Sequence, residues 1–472
     1  MRKEKLLIFL LITFLLCDLS YSFMEYYYTP IDGDLTAGTV PIKNVQQVLD
    51  DPFGFKMLAS GEKHINPNRY FSHLAQKEYM DNIPILLQTF VSPITSVYLA
   101  CALLKLFVHL VFLLILSWMI SWGSKPGLKN LLLAAALLVP LIQANGYWGH
   151  MGINDKATTY VFFFALPLVL LLAFLVPVYQ LVYQEKSIKI GFFNLFFSIA
   201  FAIVLPLSGP LIPGVVLIIC LLILIYYALK SGIRDVLKKT PRQLFYILIP
   251  IALVSLYALI LGRFDSNYEG TEIPVLNRYL KLPLGLYFQI TQSLGVPLLL
   301  LIISTNVILI NKYFKTSEGI RIKQSLKWIG LFSLIYLLLL PLGGYRPYRP
   351  NILRYDTFIP ITIALLYFYG KSTLFIVNNL RHERRKYYVL FLLVIFGIYM
   401  NSDRIETEEY QSERQCLEIL AKSPTGITKL PATFNVMSWE PLPTPERTEG
   451  NATMLMRWNI TDRKKLYYQS NE

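Results

Sequence analysis

Apolar residues along this chain come in long runs, without the alternation of a strand or the narrow stripe of a surface helix. A helix needs about 20 such residues to cross the hydrocarbon core of a bilayer. On that ruler the chain predicts about eleven spans, near 6–23, 96–121, 129–144, 158–183, 190–206, 212–230, 244–262, 284–311, 326–342, 357–377 and 387–400. The expected fold class is an all-α polytopic membrane protein with residues 1–400 as its membrane domain. Two stretches break the pattern. Residues 24–95 form a long first loop carrying Pro30, Pro41, Pro52 and Pro67, and residues 401–472 form a tail of mixed charge, a small domain or a cap. Within the loop, Tyr79, Ile83, Leu86, Leu87 and Phe90 recur at helical spacing beside Gln76, Lys77 and Asp81. That segment reads either as a helix in the interface plane or as a loop entering the next span.

Composition agrees. Of 472 residues, 54% are hydrophobic and only 16% charged, well below the quarter or so usual in soluble domains. The net charge of +14 is no nucleic-acid signature, because most Lys and Arg lie in short connections between apolar runs, as the positive-inside rule expects. Cys17, Cys101 and Cys220 sit within apolar runs, so Cys416 has no evident external disulfide partner, and no zinc spacing appears. Arg2, Lys3 and Lys5 precede Leu6–Leu16 without a convincing cleavage site after it, which reads as an uncleaved signal anchor.

Charge also orients the chain. Loops with Lys230, Arg234, Lys238, Lys239 and Arg242, with Lys312, Lys315, Arg321, Lys323 and Lys327, and with Arg381, Arg384, Arg385 and Lys386 fall on one side. Asp32, Asp34, Asp50, Asp51, Glu62, Asp265, Glu269 and Glu272 fall on the other. The expected topology has the N-terminus cytoplasmic and the C-terminus external, most simply in a bacterial inner membrane. The sequons at Asn451 and Asn459 are then external.

Candidate chemistry sits on the acidic side. Tyr26–Ala37 follows the first span and carries Asp32-Gly33-Asp34 after three tyrosines, Tyr28 the last of them. Gly33 is expected to ease a backbone turn there. The loop Asn145–Lys156 adds Asp155 to these acids, and its Trp148, His150 and Lys156 are, with Tyr28, the candidate acceptor or donor contacts. His150 reads more simply as an interfacial residue than as a metal ligand, and His64 and His73 as structural. Gly343–Asp356 breaks the charge rule with Arg346, Arg349 and Arg354, stiffened by Pro347 and Pro350. Guanidinium forks suit bidentate phosphate binding, and the alternatives are lipid headgroups or pairing with loop acids. No GxGxxG or P-loop appears. A divalent cation, Mg2+ or Mn2+, held by Asp32 and Asp34 remains open.

With its signal anchor, long first loop opening on Asp32-Gly33-Asp34, interfacial-helix candidate and external tail, the chain resembles the GT-C integral membrane glycosyltransferases. The likeness implies transfer of a sugar from a polyprenyl-phosphate donor to a glycan, lipid or protein acceptor on the external side. By position it implies that Asp32, Asp34 or Asp155 serves as base or orients the acceptor. Arg346, Arg349 or Arg354 would then hold the donor phosphate. The WWDYG-like signature of oligosaccharyltransferases is absent, and the tail is short for their large domain. Competing expectations are a polysaccharide polymerase or ligase, a transporter of a lipid-linked substrate, and a non-enzymatic assembly subunit. Against transport, no internal repeat appears and the span centres are nearly free of acids, Lys105 and His109 being the main basic exceptions.

Overall fold

The computed structural model describes residues 2–122, 127–142, 151, 153–185, 191–268, 273–345, 349, 351–432 and 434–469. It is an all-α polytopic architecture with one short pair of parallel strands, Ile427–Leu430 and Leu466–Gln469, in the tail. Every one of the eleven apolar stretches is largely helical, but they do not all span alike. Among the described residues seven helices are long and apolar enough to cross a membrane, or eight if the bent pair Thr158–Phe174 and Val176–Val182 is one span. The shortfall has local causes. Leu128–Leu141 and Leu195–Leu207 are short apolar helices. The stretch predicted as 284–311 is broken, so that Leu282–Thr291 stands apart from the spanning helix Gly295–Tyr313.

Two helices form the centre. Pro93–Ser121 starts on a Ser92 cap that accepts the Thr95 amide at 3.4 Å, with Pro93 in the first turn, where its missing N–H costs nothing. Tyr355–Asn379 is mostly buried and starts on Arg354, whose amide donates to Thr357 Oγ1 at 2.8 Å. The two are tied at the far end by Lys371, whose ammonium donates to the carbonyls of Ile120 at 2.9 Å and Trp122 at 2.5 Å. These carbonyls lie at the C-terminal end of Pro93–Ser121, where a cation satisfies the last acceptors and the helix dipole together. By contrast the first helix, Arg2–Tyr27, buries little of its apolar length, as a lipid-facing element does. It is anchored at its end by Tyr26, whose hydroxyl meets His109 Nδ1 at 3.2 Å and accepts from Asn154 Nδ2 at 3.0 Å.

The first loop folds into short helices and the longer helix Tyr70–Leu87, which buries Ser72, His73, Gln76, Met80 and Pro84. Gly38 leaves room for the end of the Gln76 side chain, which a Cβ would meet at 2.4 Å. The loop is stitched to residues 264–266 by main-chain bonds on both sides of His64, so that histidine has a structural place. The tail is not a separate body. Tyr410, Leu417, Leu420, Trp458 and Tyr467 share one apolar cluster with Ile31, Leu35, Met80, Val97 and Tyr98. Asn451 is inside this tail core, donating to the Met437 carbonyl and the Tyr467 hydroxyl, so the folded chain leaves no room for a glycan there. All four cysteines are free thiols.

Trp458 is the seam between tail and loop: 1% exposed, its Nε1 donates to the Met80 carbonyl at 2.8 Å, while its carbonyl accepts from Gln88 Nε2 at 2.7 Å. Truncation of a buried Trp to Ala costs about 3–5 kcal/mol. Trp458→Ala should therefore release the tail to limited proteolysis near residues 401–407 while the membrane-embedded fragment stays intact. A cleavage pattern matching that of the unaltered protein would show that the tail does not depend on this seam.

Candidate functional site

One cavity of about 1250 Å³ is lined by residues of all three loops singled out by the sequence. Its lining includes Asp32, Asp34, Asp155, Lys156, Arg349, Arg354 and Asp356. Apolar helix-end residues Phe163, Phe164, Pro210, Leu211 and Leu340 complete it from the membrane domain. Tyr28 is not among the lining residues; its ring packs against Tyr27 and Tyr410 in the tail cluster. Trp148, His150 and Arg346 lie outside the described residues.

The three aspartates have different surroundings. Asp32 is buried, with Oδ1 accepting from Thr159 Oγ1 at 2.8 Å and from the Asp34 amide at 3.2 Å, and Oδ2 accepting from the Thr159 amide at 3.2 Å. Burial pushes its carboxyl up and the two Thr159 bonds pull it back. Thr159 lies in the first turn of the helix starting at Thr158, where amides lack intrahelical partners, so Asp32 acts there as an acceptor supplied by another segment. Asp34 caps the short helix Leu35–Thr39 without a side-chain cap bond, and its carboxylate has no hydrogen-bond donor among the described residues. Asp155 accepts the Ala157 amide on Oδ1 at 2.7 Å, while its buried Oδ2 has no partner. Burial raises the Asp155 carboxyl to about 7, against the Ala157 bond and the nearby Lys105 ammonium, with Asp356 and Asp32 adding to the rise. A carboxylate of that kind is poised for proton transfer near neutral pH.

Gly33 plays a different part from the expected one. Its backbone is not left-handed; instead a Cβ there would stand 2.7 Å from the Trp439 amide nitrogen and 2.8 Å from its Cδ1. The glycine lets the tail approach the acidic turn. Glu413 completes that junction, accepting the Ile31 amide at 2.8 Å, the Met437 amide at 2.9 Å and the Tyr98 hydroxyl at 2.9 Å. Burial raises its carboxyl to about 7 while these three donors oppose the rise.

On the basic side, Arg349 donates from Nη2 to the Tyr160 hydroxyl at 3.1 Å. Arg354 pairs with buried Asp356 at 2.6 Å, so much of its charge is locally balanced. Lys156 pairs with Glu406 at 3.0 Å at the cavity edge, and its carbonyl accepts from buried Lys105. Tyr160 and Trp439 put two aromatic faces on the wall, with ring centroids 6.3 Å apart. Between Tyr160 and Leu166 the helix widens into a π turn, Val161–Ala165, whose Phe162 carbonyl accepts Ser72 Oγ from the first loop at 2.8 Å. Such turns recur at functional sites.

Several lining residues escaped the sequence reading. Arg69, Tyr160 and Trp439 carry no motif that separates them from ordinary loop and interface residues. Lys105 did stand out, as a charge inside an apolar run; it is buried and does not line the cavity, and its ammonium donates to the Lys156 carbonyl. Among the described residues no group of three or more His, Cys, Asp or Glu is placed to share a metal. Asp34 and the remaining lone pair of Asp32 are two oxygen positions, so an octahedral cation there would depend on substrate oxygens and water for the rest.

No protein-family model, curated protein or solved structure matches this chain.

The raised Asp155 carboxyl carries a stability consequence. Below the ordinary carboxylate range both folded and unfolded chains hold the proton. Between about pH 4 and 7 the unfolded chain has released it and the folded chain has not, so this group's contribution falls as pH rises through about 7 and is flat above. Asp155→Asn removes that loss and keeps an acceptor for Ala157. Its thermal midpoint relative to the parent should rise by about 2–5 °C from pH 4.5 to pH 8, read by thermal unfolding of the purified protein. A difference constant across pH would refute the assignment.

Proposed function

We propose that this protein is a membrane glycosyltransferase of the GT-C kind, moving a sugar from a polyprenyl-phosphate donor to a hydroxyl acceptor at the membrane face that carries the cavity. The observation that carries the reading is the shared cavity: carboxylates with open oxygens and guanidiniums line one space whose floor is made of apolar helix ends. A lipid-borne phosphoester needs those three surfaces. By the charge rule this face is the external one.

Asp155 or Asp34 takes the proton of the acceptor hydroxyl as its oxygen attacks the anomeric carbon. The bond from that carbon to the phosphate oxygen breaks, and the oxygen leaves with the electron pair. Arg349 stabilises the charge gathering on the phosphate, and Arg354, balanced in part by Asp356, adds a smaller share. Asp32, with both oxygens engaged by Thr159, positions the turn and does not itself take the proton. Tyr160 and Trp439 supply flat apolar faces for a sugar ring, and the Arg349 bond to Tyr160 orients guanidinium and ring together.

The test is turnover by the purified full chain in lipid nanodiscs with a panel of polyprenyl-phosphate sugars, following sugar release. Removing a general base typically costs on the order of 10²–10⁴ in rate, so Asp34→Asn or Asp155→Asn should lower turnover on that scale with normal insertion. Arg349→Gln should weaken donor use without altering the melting profile. Unchanged turnover in the Asp34→Asn/Asp155→Asn double variant would remove the acid–base role. Failure of the folded parent to use any donor would turn the reading toward transport or assembly.

A further inference from the structure

The cavity has a second basic corner that the scheme above leaves unused. Arg69 lies at the start of the helix Tyr70–Leu87, and its guanidinium carbon is 5.6 Å from the centroid of the Phe163 ring. His73, one turn further on, packs edge-on against the same ring with centroids 4.9 Å apart. Both Arg69 and His73 line the cavity. His73 is 4% exposed, and neither ring nitrogen has a hydrogen-bond partner. An orphaned buried donor and acceptor weighs against folding, and such groups in native folds call for a reason.

The placement of this corner relative to the first is informative. Arg349 holds the Tyr160 hydroxyl, and Arg69 covers Phe163, three residues along the same helix. Both guanidiniums thus meet the same short helical segment, each presented by a different loop. One phosphate needs one such fork. Two forks on one segment suit a longer anion with charge on two adjacent centres. Neutral imidazole still offers one N–H donor, and burial beside the Arg69 charge keeps His73 neutral, its ring lowered to about 3.

We infer that Arg69 and His73 form a second anion subsite, and that the lipid carrier recognised by this cavity bears a diphosphate: one phosphate is held by Arg349 and the other by Arg69 and His73. The inference rests on the lipid-phosphate reading above and narrows its substrate class. In the transfer step the bond broken is still the one from the anomeric carbon to the adjacent phosphate oxygen, and the departing polyprenyl diphosphate keeps the electron pair.

Binding decides this without turnover. The full chain in nanodiscs is titrated with polyprenyl monophosphate and polyprenyl diphosphate of equal chain length, and with inorganic diphosphate. The diphosphate lipid should bind at least about tenfold more tightly than the monophosphate, a preference of about 1.4 kcal/mol. Arg69→Gln and His73→Phe should reduce that preference to near unity and leave monophosphate binding intact, whereas Arg349→Gln should weaken both lipids. Arg69→Lys, which keeps the charge without the fork, should retain part of the preference and guards against reading a misfolded variant as a lost subsite. Equal binding of the two lipids by the parent, or a preference unaltered in Arg69→Gln, overturns the second subsite and leaves the proposed transferase standing. Inorganic diphosphate binding as tightly as the lipid, and dependent on Arg69, overturns the lipid assignment. Binding of neither lipid by folded parent protein overturns both.

Discussion

A carboxylate that leaves water must find donors, and Asp32 finds them on Thr159. Burying an ionised carboxylate unpaired is among the costliest events in folding, so the two bonds from Thr159, through its hydroxyl and its amide, fix more than one side chain. They dock the turn after the first helix onto the first turn of the helix at Thr158. Asp155, three residues before that helix start, is thereby brought to the same wall as Asp34. Glu413 applies the same logic from the tail, collecting the amides of Ile31 and Met437 and the Tyr98 hydroxyl. Two buried acids thus join four segments far apart in sequence, the one at Tyr98 being the central helix Pro93–Ser121.

This arrangement sets the electrostatics of the site. Lys105 rises from the central membrane helix to donate to the Lys156 carbonyl, and its charge opposes the upward push that burial exerts on Asp32 and Asp155. Arg354 is balanced directly by Asp356, at 2.6 Å. The charges with fixed internal partners therefore build the walls. Asp34 and the Oδ2 of Asp155 are lining carboxylate groups without an internal donor among the described residues.

Much of this was legible in the sequence, for physical reasons that differ by element. Long apolar runs declare helices because a lipid or core environment forces every backbone group to pair within the segment, and all eleven runs are largely helical. Which of them span was less readable, since length at 284–311 concealed a break near Leu294 and the short helices at 128–141 and 195–207 lean on neighbours. Asp32-Gly33-Asp34 was visible as an acidic turn, but the purpose of Gly33 was not. Its lack of a side chain serves the approach of Trp439 from 406 residues further along, and no local pattern encodes a contact at that range. Arg69 and His73 were hidden for a related reason: a loop arginine has the same appearance in sequence whether it faces water or Phe163. The tail read as a possible separate unit because its charge differs from the spans, whereas its apolar residues are completed by Ile31, Leu35 and Met80 from the first loop.

The tail's dependence on the loop bears on how the cavity works. Residues that pack as one core with Met80 and Val97 cannot swing independently of the membrane helix that carries Val97, so Trp439 and Glu413 approach the acids as part of the scaffold. A wall built this way is preorganised: orienting Asp34 and Asp155 is already accomplished by folding and need not be supplied by substrate binding. The converse is a geometric restriction. With the loop, the tail and the helix at Thr158 locked together by buried hydrogen bonds, a lipid-borne substrate of the kind we propose would meet the apolar lining at Phe164, Pro210, Leu211 and Leu340. The polar lining at Glu406, Glu409 and Trp439 would then be left for the acceptor of that proposal. Apolar lining, polar lining and a pair of carboxylates in one cavity is the combination that the proposed transfer requires.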